Sequence, residues 1–439
     1  MNKTEINLKE FYELIKNHSF KQASEKAESL IKCENFNSVQ KKQITGVLID
    51  IASKFNEDRK HKEAAETVKI INQFKDYIKD KKTKNIILNE LELAEGRINL
   101  HSKPRYLQVV LTTMCNLDCI MCGLPQTHYV MPDSIKESII EYMPYLESVI
   151  WQGGEPLLYK GFKDLFKAAG LHGVEQTVTT NGLLVDEDIL EVIENAQGMI
   201  HLDISIDGVD AVTYAKIRRK GDFNFLLKKI DLINKTITKK QSFMLGMQAV
   251  VMKSNYKQIE RMIDFAVERG FSKILFQRLF PSYLAKEEGL NDEENNFVVS
   301  QIKEYREKFE KRQMIINIDS NIEYVDRLSE KHQQQKDNMN IVAGGVKQEY
   351  SALCDEKKTS DLFCLAPWKR MFIGRENIVM PVCHCDVDGK KVDDVGELWN
   401  GKSMTDFRKN ILEGKLPRQC LSFCKTSGDC FERIRRTGK

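Results

Sequence analysis

Three cysteines within TTMCNLDCIMCG, namely Cys115, Cys119 and Cys122, are the part of this chain best equipped for chemistry. Their CxxxCxxC spacing lets three thiolates converge on one centre. A four-iron cubane is usually held by four cysteines, so one held by three keeps an iron open to an exogenous ligand. The same residues also suit a structural zinc site of the Cys3His kind, with His128 as fourth ligand. A second concentration of cysteines, seven from Cys354 to Cys430, lies far along the chain, and Cys33 stands alone on a helical segment as a packing residue. The total of eleven is odd. The first residues, charged throughout, lack the basic head and apolar stretch of an export signal. Metal or cluster ligation in a reducing cytoplasm is therefore expected over a disulfide framework.

Three short polar motifs follow the cysteine loop. WQGGEP supplies Gly153, Gly154, Glu155 and Pro156; its glycines permit close backbone approach and its acid can pair with an ammonium group. TTNG supplies Thr180 and Asn181, and SIDG supplies Ser205 and Asp207. Asp207 could serve as a general base, as a ribose contact or as a structural acid. Each motif is a common turn by itself; their order and spacing carry the information.

These motifs need elements to hold them. From Tyr106 onward, the runs YLQVVLTT, ESVIWQ, QTVTT, MIHLDISID, FMLGMQAVVM and KILFQRLF are short and β-rich. Between them, segments such as Asp133 to Tyr142, Phe162 to Ala169, Asp186 to Asn195 and Tyr256 to Arg269 can form crossover helices between parallel strands. The pattern predicts an α/β fold, an open or partial barrel, with each motif at the carboxyl end of a strand where such folds gather their chemistry. Residues 1 to 100 read as all helix, and KQASEKAESLI and KEAAETVKII repeat at an offset of about 41 residues, as in tetratricopeptide-like helix pairs. That segment is either a docking module for a protein partner or a helical cap. Residues 285 to 350 are polar and read as a last helix and a connection. The tail holds strand-like MFIGRENIVMPVCHC and an amphipathic helix from Leu398 to Ile411.

Lys and Arg number 67 against 64 Asp and Glu, a net charge of +3, which makes no electrostatic case for nucleic acid. No apolar run approaches the ~18 residues of a membrane span.

Together the cysteine loop, GGEP, TTNG and SIDG resemble the radical S-adenosylmethionine (SAM) enzymes, which carry CxxxCxxC at the mouth of a partial (β/α)6 barrel. The resemblance implies a 4Fe-4S cluster on Cys115, Cys119 and Cys122. It further implies that Gly153, Gly154, Glu155 and Pro156 hold the methionine amino group, and that Thr180, Asn181, Ser205 and Asp207 belong to the cofactor site, SIDG at the ribose. One electron from the cluster would split the sulfonium to give methionine and a 5′-deoxyadenosyl radical, which takes a hydrogen atom from substrate. The tail resembles the SPASM or twitch extension in Gly374, Pro381-Val382-Cys383 and the Trp399-Asn400 helix with Arg408. This implies one auxiliary 4Fe-4S cluster on Cys364, Cys383, Cys420 and Cys424, with Cys385 and Cys430 as alternative ligands. The three-residue gap from Cys420 to Cys424 and the lack of a cysteine after Cys430 depart from the full SPASM pattern. A zinc ribbon is the structural alternative for the tail. Cys354 is left over as an inert thiol, a ligand of a second cluster or a hydrogen-atom donor to a substrate radical.

The implied layout is a helical domain over 1–100, a barrel over 105–310 and an auxiliary-cluster domain over 350–439. An auxiliary cluster can accept an electron from a substrate radical, so dehydrogenation of a carbohydrate or other small molecule is the first expectation. Epimerisation, ribosomal-peptide maturation and a non-enzymatic electron carrier on a helical scaffold are the alternatives. A flavodoxin- or ferredoxin-type donor is the implied redox partner. Tyr129, Met131, Arg278 and Tyr283 are candidates for the pocket wall.

Overall fold

Alternating apolar residues in YLQVV, SVIWQ and IHLDIS send every second side chain to one face of a strand. In the computed structural model these runs are β1 (Tyr106–Val110), β3 (Ser148–Gln152) and β5 (Ile200–Ser205). With β4 (Glu175–Thr180), β7 (Phe243–Val251) and β8 (Lys273–Arg278) they are the six expected strands, all paired in parallel in the order β1-β3-β4-β5-β7-β8. The structure describes residues 10–123 apart from 12, 15–16, 18, 33–37, 74–75 and 77, then 128–237, 240–279, 285–309, 315–318, 364–375, 379–380 and 394–415.

The sheet extends further at both ends. After the Asp292–Phe309 helix, Ile315–Ile318 is a strand, β9, parallel to β8, where a polar connection was expected. At the other edge β10 (Arg370–Ile373) runs parallel to β1, and the short β11 (Val379–Met380) closes that side in antiparallel fashion. The first strand of the cysteine-rich tail is thus built onto the barrel sheet. A separate two-stranded ladder joins β2 (Asp118–Cys119), inside the cysteine loop, to β6 (Arg218–Arg219).

One face of the sheet carries Leu107, Val109, Val149, Trp151, Val178, Leu202, Ile204, Met247, Ile274 and Phe276, all in the main core. The helices Asp133–Tyr142, Phe162–Leu171, Glu187–Asn195, Phe223–Thr236 and Ile259–Glu268 add their apolar residues to that core. On the opposite face, largely polar, the register aligns Gln108, Ile150, Thr177 and His201 in one row and Gln248 beside Ser205 in another. A parallel sheet with one apolar and one polar face matches a barrel packed outside by helices and open inside to polar ligands.

The N-terminal segment is helical as expected, with helices Phe20–Ile31, Ser38–Glu57, His61–Asn72 and Lys81–Ala94. Corresponding positions of its two repeats, Ala23 and Ala64, Ala27 and Val68, Leu30 and Ile71, are buried in a single cluster. The Lys81–Ala94 helix ties this unit to the barrel. Its wholly buried Glu90 pairs with Arg105 at the foot of β1 and with Lys369, 3.2 Å away at the foot of β10, and accepts from Asn56 Nδ2 at 2.8 Å. Asn89 Nδ2 donates to the Trp368 carbonyl.

The tail helix expected over Leu398 to Ile411 is two helices, Val395–Trp399 and Lys402–Leu412, interrupted at Asn400 and Gly401. Trp399 Nε1 donates to Ser102 O (2.8 Å), and the Asn400 amide exchanges two hydrogen bonds with Leu100. Buried Arg408 donates to the carbonyls of Pro367, Ile98 and Trp399 at 2.8 to 2.9 Å and stacks over the Trp399 ring. These residues clamp the linker that joins the helical unit to β1.

Candidate active site

The cysteine loop begins where β1 ends. Thr112 and Thr113 anchor its base: Thr112 Oγ1 donates to Tyr129 O at 2.8 Å, and Tyr129 N donates to Thr113 Oγ1 at 3.1 Å. Cys115 and Cys122 are exposed and Cys119 is half-buried. The Leu117 amide lies 3.4 Å from Cys115 Sγ, an N–H directed at a sulfur. Burial pushes the Cys119 thiol up to about 11, against the opposing pull of Arg218, so a cluster must displace its proton to bind.

GGEP seats directly against this loop. Gly154 N donates to Thr112 O (2.7 Å) and Glu155 N to Met114 O (2.8 Å). A Cβ on Gly153, whose φ is +150°, would fall 2.2 Å from Thr112 O, and one on Gly154 would fall 2.3 Å from Met114 O. Only glycine allows two backbones to meet this closely. Glu155 is wholly buried; its carboxylate accepts from Thr180 Oγ1 (2.7 Å), Asn181 N (2.9 Å) and Leu157 N (3.2 Å). Burial raises its pKa, and these donors oppose the rise. Pro156 opens the tight turn Pro156–Leu158 and is buried.

TTNG completes the rim. Asn181 Nδ2 donates to Asn116 Oδ1 at 2.7 Å and lies 4.0 Å from Cys115 Sγ. Gly153, Gly154, Glu155, Thr180 and Asn181 thus meet around the cysteine loop. Ser205 stands at the end of β5 beside Gln248. Asp207, from the same SIDG motif, is placed differently: it is wholly buried, accepts from Val250 N at 2.7 Å and pairs with Arg218 at 2.7 Å. Arg218 in turn directs Nη1 at Cys119 Sγ, 3.8 Å away.

Sequence reasoning did not single out Arg218. It lies in the basic run KIRRKG, and the acid it pairs with, Asp207, stands upstream on the far side of the Ala211–Ile217 helix, so no local pattern joins them. Asn116 was likewise passed over.

Among the described residues no three His, Cys, Asp or Glu side chains converge on a point that a single metal ion could fill. Cys115, Cys119, Cys122 and exposed His128 all fall within that set. A cubane presents a different iron to each cysteine, so its ligands stand farther apart than those of one ion. Three cysteines on one loop, with N–H groups directed at two of the sulfurs, fit a cluster better than zinc.

Of the tail residues, Cys364 is buried just before the Ala366–Lys369 helix. Cys33, Cys354, Cys383, Cys385, Cys420, Cys424 and Cys430 lie outside the described residues, as does Tyr283. Met131, a candidate for the pocket wall, is a core residue.

Residues 109–266 match the Radical SAM superfamily model. A GTP 3′,8-cyclase from Synechocystis sp. is 31% identical over 193 residues, 41% of this chain and 57% of that protein. An AdoMet-dependent heme synthase from Methanosarcina barkeri is 29% identical over 180 residues, 39% of this chain and 50% of that one. The chain spans about half the length of the curated relatives it matches. Streptococcus suis SuiB bound to precursor peptide SuiA aligns at TM-score 0.54 and 17% identity, over 74% of this chain and 70% of SuiB. Native anSMEcpe with bound AdoMet and Cp18Cys peptide aligns at TM-score 0.51 and 15% identity, over 76% of this chain and 92% of that one. These two are likenesses of fold. The core of this chain is a radical SAM domain, with a helical unit before the sheet and tail elements built onto its edge. No described helix is long and apolar enough to cross a membrane.

Proposed function

We propose that the chain is a radical SAM enzyme that removes a hydrogen atom from a peptide substrate and carries one auxiliary cluster in its tail. The observation that carries this is the joint between the cysteine loop and GGEP, where Gly154 and Glu155 amides bond to Thr112 and Met114 and no side chain fits between. Cys115, Cys119 and Cys122 would hold a 4Fe-4S cluster. Bound there with S-adenosylmethionine, it supplies the electron that splits the sulfonium and so a carbon radical.

The chain's own residues set the stage. The Gly153-Gly154 backbone packs directly on the cysteine loop with no side chain between them, which brings the GGEP turn up against the exposed cysteines. Glu155, fixed by Thr180 and the Asn181 amide, offers a buried anionic oxygen toward an ammonium group, and desolvation strengthens that pairing. The Asn181 amide steadies the loop through Asn116. Ser205 at the end of β5 and Gln248 beside it on β7 offer hydrogen-bonding groups for a ribose or substrate.

The curated relatives, named for a GTP cyclase and a heme synthase, match 41% and 39% of this chain. The solved structures that align over three quarters of the chain include peptide complexes. This favours a peptide over the carbohydrate or other small molecule that was the first expectation. Cys364, Cys383, Cys420 and Cys424 remain the proposed auxiliary ligands, and a flavodoxin or ferredoxin the proposed donor.

The test is substrate-stimulated formation of 5′-deoxyadenosine by the reduced, reconstituted protein. A low-mass fraction of a cell extract should stimulate it, and digestion of that fraction with a broad protease should abolish the stimulation. Stimulation that survives digestion restores the small-molecule reading; a protein that binds clusters but leaves S-adenosylmethionine intact is an electron carrier.

A further inference from the structure

Arg218 is covalently remote from the cysteine loop yet fixed to it from two directions. Backbone pairing sets Cys119 opposite Arg218 and Asp118 opposite Arg219, and Ile120 N donates to Ile217 O at 3.0 Å. From behind, Asp207 Oδ2 lies 2.7 Å from Arg218 Nε. Asp207 is itself immobilised, because Val250 N donates to its carboxylate (2.7 Å) and Asn255 Nδ2 donates to its backbone carbonyl (2.8 Å). Both charged side chains are at least nine-tenths buried. A buried pair of this kind adds little net stability, since apolar residues of similar volume commonly do as well. Its free end is what is distinctive: Arg218 Nη1 stands 3.8 Å from Cys119 Sγ. Arg219, next in sequence, points elsewhere, donating to Asp118 O at 2.9 Å from a largely exposed side chain.

We propose that Arg218, anchored by Asp207, is a positioning residue that sets the reduction potential of the cluster carried by Cys115, Cys119 and Cys122. The inference rests on the radical SAM reading above and adds a residue to it. Reduction places one more negative charge on a cluster. A guanidinium directed at a ligating sulfur favours the reduced state over the oxidised one and raises the potential, and hydrogen bonds to cluster sulfurs act in the same direction. Low dielectric around the buried pair keeps water from screening the effect. Asp207 holds the guanidinium on the sulfur. The partly offset charge leaves direction, rather than bulk positive potential, as the device.

The experiment is a redox titration of the cluster by electron paramagnetic resonance in the reconstituted full chain, with iron content measured in parallel. The variants are Arg218→Gln, Arg218→Lys, Asp207→Asn and Arg219→Gln. With Arg218→Gln the reduced-to-oxidised ratio at a fixed applied potential should fall at least tenfold, which is 59 mV for one electron. Arg218→Lys should stay within threefold of wild type, and Arg219→Gln should not change. An unchanged potential in Arg218→Gln, or equal shifts in the Gln and Lys variants, overturns the proposal. If Arg218→Gln holds no cluster, Asp207→Asn decides: a lowered potential from the unanchored guanidinium supports the role, and a wild-type potential refutes it. Failure of the radical SAM reading is distinguishable, because wild-type protein would then hold a cluster with this same titration and never cleave S-adenosylmethionine.

Discussion

Replacing Glu90 with Gln removes the acid that joins the helical unit, β1 and β10. Burial alone would raise the pKa of Glu90, but Lys369 and Arg105, with Asn56, hold it down at about 2 against an ordinary value of 4.5. That difference corresponds to ~3 kcal/mol of stability at neutral pH. The folded-state pKa is depressed, so this stability is fully present above pH 4.5 and lost as the pH falls from 4.5 toward 2. Glu90→Gln lacks it at every pH, leaving Lys369 buried beside Ser53 Oγ alone among neutral partners and Arg105 on Glu147. Urea unfolding followed by tryptophan fluorescence is a suitable assay, because two of the three tryptophans, Trp368 and Trp399, flank this junction. The stability gap between wild type and variant should be roughly 3 kcal/mol at pH 7 and should shrink steadily below pH 4.5. A gap that is independent of pH, or below ~1 kcal/mol at pH 7, refutes the linkage argument.

Three further outcomes follow from the geometry. Gly154→Ala drives a Cβ into Met114 O, at 2.3 Å, and should cost roughly 2–3 kcal/mol while lowering iron uptake on reconstitution, measured by iron assay and thermal melting. Arg408→Ala orphans three carbonyls, two of them in buried bonds, at a cost of roughly 3 kcal/mol, and Arg408→Lys should not rescue it because one ammonium cannot span all three; melting of both variants checks this. Thr180→Val takes a donor from Glu155, whose pKa burial already raises, so the acid limb of S-adenosylmethionine cleavage against pH should move to higher pH.

Six parallel strands were legible because each repeats apolar residues at a period of two and is bounded by turn residues and amphipathic helices. β9 was not: IINI is four residues in a polar stretch, too short to show a period. The strand character of MFIG was legible, whereas its parallel pairing with Tyr106–Val110 is a contact between chain segments over 250 residues apart that no local pattern encodes. The helix break at Asn400 and Gly401 had a local signal in the Asn-Gly pair, a turn former, whereas the Asn400 amide's bonds to distant Leu100 had none. Within the site, the cysteines declared themselves by residue type and spacing, and GGEP, a common turn by itself, by its place after them. Arg218 did not, because an arginine in a basic run acquires meaning only once β6 lies beside β2. For Asp207 the motif left a ribose contact and a structural role open, and only the fold places its carboxylate on Arg218.

The most direct test of the central claim is anaerobic reconstitution with iron and sulfide, followed by dithionite-driven cleavage of S-adenosylmethionine in wild type and Cys115→Ala. The account predicts about eight irons per chain for two four-iron clusters, with formation of methionine and 5′-deoxyadenosine abolished by the substitution. A wild-type protein with a full iron complement and no cleavage, or undiminished cleavage by Cys115→Ala, would contradict it.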